Sequence, residues 1–297
     1  MANITLLDGS IGQELVKRSG DRPTPLWSTR VMIDRPELVG DVHAEYFRRG
    51  ATVATTNTYA LHRSRLVREG MDDQLYSLVD AAVSQAEQAR GSNGGRIAGA
   101  LGPLLASYRP DLNPDVAEAA EKFAELAKLM ADRVDFFLIE TVSSVQEAEG
   151  ALRGAAGGGK PVWLALTVMD DDGTRLRSGE PLSEIAPVVD RFAPEAVLIN
   201  CSRPEAIPAA LDIIAEFDRP YGAYANGFTG ITQKFLEDAP TVDALEQRQD
   251  LGPEAYADHA MAWVAQGATV VGGCCEVGPD HIETLANRLR AAGHQIV

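Results

Sequence analysis

The chain has little cysteine, three residues in 297. The count is odd, and the opening Met1-Ala2-Asn3-Ile4-Thr5 shows no basic region ahead of a long apolar one. A disulfide framework and a secretory signal are therefore not expected, and a reducing cytoplasm is the expected setting. No apolar run reaches the roughly 18 residues of a membrane helix, so no membrane partner is expected. Positive charge is also short: 27 Lys and Arg stand against 43 Asp and Glu, for a formal net charge of −16. That balance opposes binding to a phosphate backbone, so nucleic acid is not an expected partner. What remains, 45% apolar and 24% charged, is ordinary for a soluble globular protein.

The few cysteines are unevenly placed. Cys274 and Cys275 are adjacent in the turn Gly272-Gly273-Cys274-Cys275, and Cys201 closes the apolar run Ala196-Val197-Leu198-Ile199-Asn200. Neighbouring cysteines rarely bond to each other, because one backbone link strains disulfide geometry. Taken singly, each is an ordinary buried small hydrophobe. Taken together, three thiols at strand ends suit a tetrahedral three-thiolate zinc site whose fourth position stays open for catalysis. No Cys-x-x-Cys spacing favours a redox pair instead.

Short apolar runs at 4–7, 52–56, 96–100, 136–139, 162–167, 196–199, 221–224 and 269–271 alternate with amphipathic stretches. Helical patterns fall at 36–49, 114–131, 143–152, 182–192, 204–217, 253–265 and 279–291, several opening on proline. Strands separated by helices imply parallel pairing. Eight such units predict a (β/α)8 TIM barrel, with an open doubly wound sheet as the runner-up. Residues 225–252 exceed a routine barrel loop and are expected to be an insertion after the seventh strand, over the active face. Nothing signals a second domain, so residues 1–297 are expected to form one.

The chemistry-bearing residues fall where strands end: Asp8, Asn57-Thr58-Tyr59, Glu140-Thr141, Asn200-Cys201 and Cys274-Cys275. In a barrel these ends share one face, where catalytic groups collect. Two carboxylates there, Asp8 and Glu140, suit the ammonium group of an amino-acid substrate. Trp27, in Pro25-Leu26-Trp27-Ser28, is a candidate aromatic wall for a cationic methyl donor, with Tyr59 and Phe228 weaker candidates. His43, His259 and His281 lie on predicted helices as packing or surface residues. Residues 154–161 imitate a phosphate loop up to Lys160, but Pro161 replaces its Ser/Thr and the order runs helix to strand.

Leu6-Leu7-Asp8-Gly9, Thr56-Asn57-Thr58-Tyr59, Ile139-Glu140-Thr141, Asn200-Cys201 and Gly272-Gly273-Cys274-Cys275, in this order, resemble the zinc-dependent homocysteine S-methyltransferases. The similarity runs from about Ile4 to Leu289 and implies the same barrel. It implies that Cys201, Cys274 and Cys275 hold Zn2+ and that Asp8 and Glu140 meet the homocysteine amino group. Asn200 is implied in the same pocket, supporting Cys201 or the amino acid. The Pro25-Leu26-Trp27-Ser28 block and Tyr59 look like the branch using S-methylmethionine or S-adenosylmethionine. The betaine-using branch has an aromatic where this chain has Ala60, and relatives commonly have proline where it has Ala225. The implied reaction is attack by homocysteine thiolate on a sulfonium methyl, giving methionine. The alternatives are another donor (betaine, methylfolate or a corrinoid), another thiol or selenol acceptor, or a non-catalytic zinc or redox protein. The oligomeric state is not fixed by the sequence.

Overall fold

A computed structural model describes residues 1–20, 26, 28–91, 94–237 and 244–297. Trp27 lies outside the described residues. Among the described residues nine strands form one parallel sheet: β1 (Asn3–Leu6), β2 (Val53–Thr55), β3 (Arg96–Leu101), β4 (Phe136–Val142), β5 (Val162–Leu166), β6 (Ala196–Asn200), β7 (Tyr221–Tyr224), β8 (Val270–Val271) and β9 (Gln295–Ile296). Their order is β2-β3-β4-β5-β6-β7-β8-β1-β9, so the first strand lies beside the eighth. Helices among the described residues are α1 (Ile11–Ser19), α2 (Ser28–Asp34), α3 (Pro36–Arg49), α4 (Arg63–Leu66), α5 (Leu75–Arg90), α6 (Val116–Met130), α7 (Val145–Ala156), α8 (Ala186–Phe192), α9 (Ile207–Ile214), α10 (Pro253–Ala265) and α11 (Pro279–Ala291).

Period-two alternation along the strands sorts side chains onto two faces. Ile97, Ile139, Leu164, Val197 and Ile199 pack outward with the helices in the main core. The opposite face supplies a second cluster with Leu7 at the end of β1 and residues from every strand from β2 to β8, including Phe136, Trp163 and Leu198. Such a set meets only if the sheet curls on itself. Arg96 plugs this interior, its guanidinium 5.1 Å from the ring centroids of both Phe136 and Trp163.

All eight predicted runs are strands, and α3, α10 and α11 have the expected bounds. The ninth strand was not foreseen. Two residues carry no periodic signal, and only pairing with Asn3 and Ile4 makes them a strand. Beside it, the Thr52 N–H donates to Leu6 O at 2.8 Å and the Thr52 hydroxyl to Val297 O at 2.7 Å, linking β1 to the start of β2. Residues 168–181, unassigned in sequence, fold back through antiparallel bridges Val168–Leu176 and Arg175–Pro181. In the segment 225–252, Phe228 bridges Gln247, and a 3-10 turn over Gln233–Leu236 packs Phe235 and Leu236 towards the cysteines.

Candidate functional site

At the carboxyl ends of β6 and β8 the three cysteine sulfurs meet. All three Sγ atoms lie within 4.8 Å of one another, and Cys201 and Cys275 are 3.6 Å apart. A tetrahedral zinc with Zn–S of about 2.3 Å spaces its sulfurs at about 3.8 Å, so the donor set fits such an ion in type and spacing. The Cys201 thiol is held well below its ordinary range by hydrogen bonds from Cys274, Cys275 and Tyr108. Cys274 and Cys275 are pushed up, chiefly by their bonds to Cys201.

Backbone contacts fix the two thiol-bearing turns. Cys201 N–H donates to Tyr224 O at 3.1 Å, and the Asn226 amide donates to Cys201 O at 2.8 Å. Cys274 N–H donates to Ala225 O at 2.9 Å, while Cys275 O accepts from Gly227 N–H at 2.8 Å. Gly273 is required by close approach: a Cβ there would stand 2.2 Å from Val277 Cγ1. Six non-glycine residues have positive φ among the described residues, and four of them, Tyr108, Thr141, Cys201 and Glu276, border this site. Each such residue stores about 1–3 kcal/mol of strain, which packing elsewhere must offset.

Asp8 and Glu140 line the same cavity as the three cysteines. The buried Asp8 accepts from Thr55 N–H and the Thr55 hydroxyl, both at 2.7 Å. Burial pushes its pKa up to about 7 despite those bonds. Glu140 sits where the β4–β5 register shifts between Ile139 and Val142. Such an irregularity re-aims a side chain, and Thr141 completes it with φ of 62°. Glu140 accepts from the Tyr224 hydroxyl at 2.9 Å. Its pKa is pushed up to about 8, first by burial and then by the charges of Asp8 and Cys201.

The other expected residues stand at varying distances from the cavity. Asn200 is fully buried but is not among the described residues lining the cavity. Its amide accepts from Thr141 N–H at 3.0 Å and donates to the Thr141 hydroxyl at 3.1 Å, bracing β4. Tyr59 borders the cavity, with its hydroxyl 2.7 Å from that of Ser107 and the Arg65 guanidinium 5.5 Å from its ring centroid. Phe228 is buried away from the cavity lining. His43 is fully buried without a partner on either nitrogen, and burial pulls it down to about 4, as a packing residue. Thr55, Tyr108 and Tyr224 touch the key groups and were not singled out from the sequence. Thr55 and Tyr224 were hinted at only by their positions at strand ends, and Tyr108, in the loop after β3, carried no such signal.

Parallel strands ending in three clustered thiols beside one buried and one half-buried carboxylate define a class: α/β enzymes with a three-thiol centre at the carboxyl edge of the sheet. The sequence profile described as homocysteine S-methyltransferase matches residues 5–289. A homocysteine S-methyltransferase of Escherichia coli (strain K12) is 28% identical over 306 residues, covering 96% of this chain and 95% of its own. Homocysteine S-methyltransferase YbgG of Bacillus subtilis (strain 168) is 25% identical over 305 residues, covering 95% and 93%. The crystal structure of the homocysteine methyltransferase MmuM from Escherichia coli in its metallated form aligns with a TM-score of 0.81 at 26% identity, covering 96% of each chain. The chain belongs to the homocysteine S-methyltransferase family.

Proposed function

We propose that this protein transfers a methyl group from a sulfonium donor, S-methylmethionine or S-adenosylmethionine, to the thiol of L-homocysteine, forming methionine. The observation that carries this reading is the convergence of three thiols and two carboxylates on one cavity in a member of this family. Cys201, Cys274 and Cys275 would hold zinc. Bound there, zinc would keep a substrate thiol deprotonated at neutral pH, where a free thiol with pKa of about 8.5 is mostly protonated.

Asp8 and Glu140 would receive the homocysteine ammonium group, because the buried Asp8 and the half-buried Glu140 line one cavity with the thiols and a cation would favour the ionised form of both. Thr55 and Tyr224 would orient those carboxylates, as their hydrogen bonds already do. Tyr59 and Trp27 would border the donor. In the transfer, the carbon–sulfur bond to homocysteine forms as the methyl–sulfonium bond breaks. The donor leaves as a neutral sulfide, and the thiol proton goes to solvent. Alignment of two substrates and exclusion of water would supply much of the remaining acceleration.

The architecture we propose with this reading is a closed (β/α)8 barrel of one domain, with the described residues 225–237 and 244–252 lying over the catalytic face. The Thr52–Leu6 bond and the packing of Phe235 towards the cysteines favour it. No helix among the described residues is long and apolar enough to cross a membrane, which accords with a cytoplasmic setting.

The test is methionine formation by zinc-loaded protein with homocysteine and each donor in turn, beside a Cys274→Ser control. Methionine from a sulfonium donor, lost in the control, is expected. Zinc bound at about one per chain with no methionine from any donor would overturn the assignment.

A further inference from the structure

Tyr108 has a geometry that methyl transfer to homocysteine does not by itself require. It follows β3, and its φ of 62° is one that a bulky aromatic residue adopts only when its surroundings hold it there. Phe235 packs edge-on against its ring, with centroids 6.0 Å apart. On the ring also lies the Arg177 guanidinium, 5.0 Å from the centroid. Arg177 is gripped by Asp170 through bonds of 3.0 and 2.8 Å. Asp170 in turn accepts from the backbone N–H groups of Arg203 and Ile231, at 3.1 and 3.3 Å. The segments after β5, β6 and β7 thus converge on one carboxylate, which fixes Arg177 and through it the tyrosine ring. The result is a hydroxyl that donates to Cys201 Sγ at 2.9 Å, with Cys201 O at 3.4 Å.

Two kinds of sulfur nucleophile share this pocket, the acceptor's and the cysteines'. A cysteine thiolate could attack a sulfonium methyl just as the acceptor does. The methyl carbon would bond to Cys201 Sγ, the methyl–sulfonium bond would break, and the donor would leave as a neutral sulfide. The product, a thioether, has lost the thiolate charge and is not among the ligands that hold zinc in proteins, which are thiolate, imidazole and carboxylate. A hydrogen bond to the thiolate opposes that step, because the lone pair it engages is the one that attacks, and a bond to an anionic acceptor is strong. The cation over the ring makes the hydroxyl a better donor.

We propose that the Tyr108 hydroxyl guards Cys201 against methylation by the sulfonium donor, leaving the acceptor sulfur as the pocket's nucleophile. This rests on the zinc and sulfonium reading above. Tyr108 acts on a metal-binding sulfur, and Arg177 and Asp170 are positioning residues acting through it.

The experiment compares wild type with Tyr108→Phe at saturating zinc, metal content being measured in each. Each is treated with S-methylmethionine without homocysteine and, separately, with iodoacetamide. Modification of the Cys201 peptide is followed by mass spectrometry. Cys201 is expected to react about tenfold faster in Tyr108→Phe, the loss of one hydrogen bond to a charged group, with zinc released as it does. An unchanged Cys201 rate would overturn the proposal. Arg177→Gln keeps the hydroxyl but frees the ring, and a smaller acceleration is expected. If Tyr108→Phe does not fold, an unchanged rate in Arg177→Gln overturns the proposal instead. Methionine formation by wild type is measured alongside. If zinc binds and no methionine forms, the methyl-transfer reading fails, while the iodoacetamide comparison still decides the role of Tyr108.

Discussion

Two carboxylates with raised pKa values, about 7 for Asp8 and about 8 for Glu140, share a cavity with three thiols. In the free protein both bind more protons than in the unfolded chain, whose carboxyls titrate near 4. Their contribution to stability is therefore full below about pH 4 and declines as pH rises through 7 and 8. A ligand ammonium reverses the sign, since it needs both groups ionised. Amino-acid affinity should rise from about pH 6 to about pH 8, and binding near pH 7 should release protons. Calorimetry in two buffers of different ionisation enthalpy measures that release; none, with flat affinity, would count against the ammonium site. Glu140→Gln should raise the homocysteine KM about 10- to 100-fold while zinc content is unchanged, as steady-state kinetics and metal analysis would show. The acids and thiols were legible in the sequence because reactive residue types stood at strand ends. Tyr108 and Arg177 were not, because their roles arise from loops that meet only in the fold. Asn200 was legible as a strand-end residue, while its bonds to Thr141, which lines the cavity, depend on β4 and β6 meeting in the fold.

Individual elements show how the sequence aims these groups. The strand runs were visible from apolar clustering, and Asp115 and Ser144 cap α6 and α7 through their side chains as such residues do. The β4 irregularity that turns Glu140, and the hairpin at 168–181 that carries Arg177, were not visible. Neither has a local signal apart from the chain that packs on it. The turn Gly272-Gly273-Cys274-Cys275 is the element on which the thiol centre depends most. In Gly273→Ala the new methyl would collide with Val277 and press towards Gly9 Cα, 3.4 Å away. The turn must then shift, and zinc affinity should fall about 10- to 100-fold with helix content unchanged. Competition with a chromophoric chelator measures the first and circular dichroism the second. Undiminished affinity would show that the turn tolerates the displacement.

Across the whole molecule, parallel topology brings Asp8 and Cys275 together from opposite ends of the chain. The strand–helix alternation made that legible. The ninth strand, two residues resting on β1, was beyond reach because pairing alone defines it. A metal bound at the meeting point of β6 and β8 ties distant segments to one another, so its removal should loosen the entire fold. For a site about 1,000-fold saturated, mass action gives about 4 kcal/mol, or roughly 6 °C in Tm for a chain of this length. Scanning calorimetry with and without chelator reads that shift, and an unchanged Tm would mean that the metal does not bridge these segments.

The most direct measurement is zinc-edge X-ray absorption on the zinc-loaded protein, with and without homocysteine. About three sulfur scatterers are expected on the metal in the free protein and about four with homocysteine, the added one being the substrate thiol. An unchanged sulfur count, or a free protein already saturated by sulfur, would contradict that expectation.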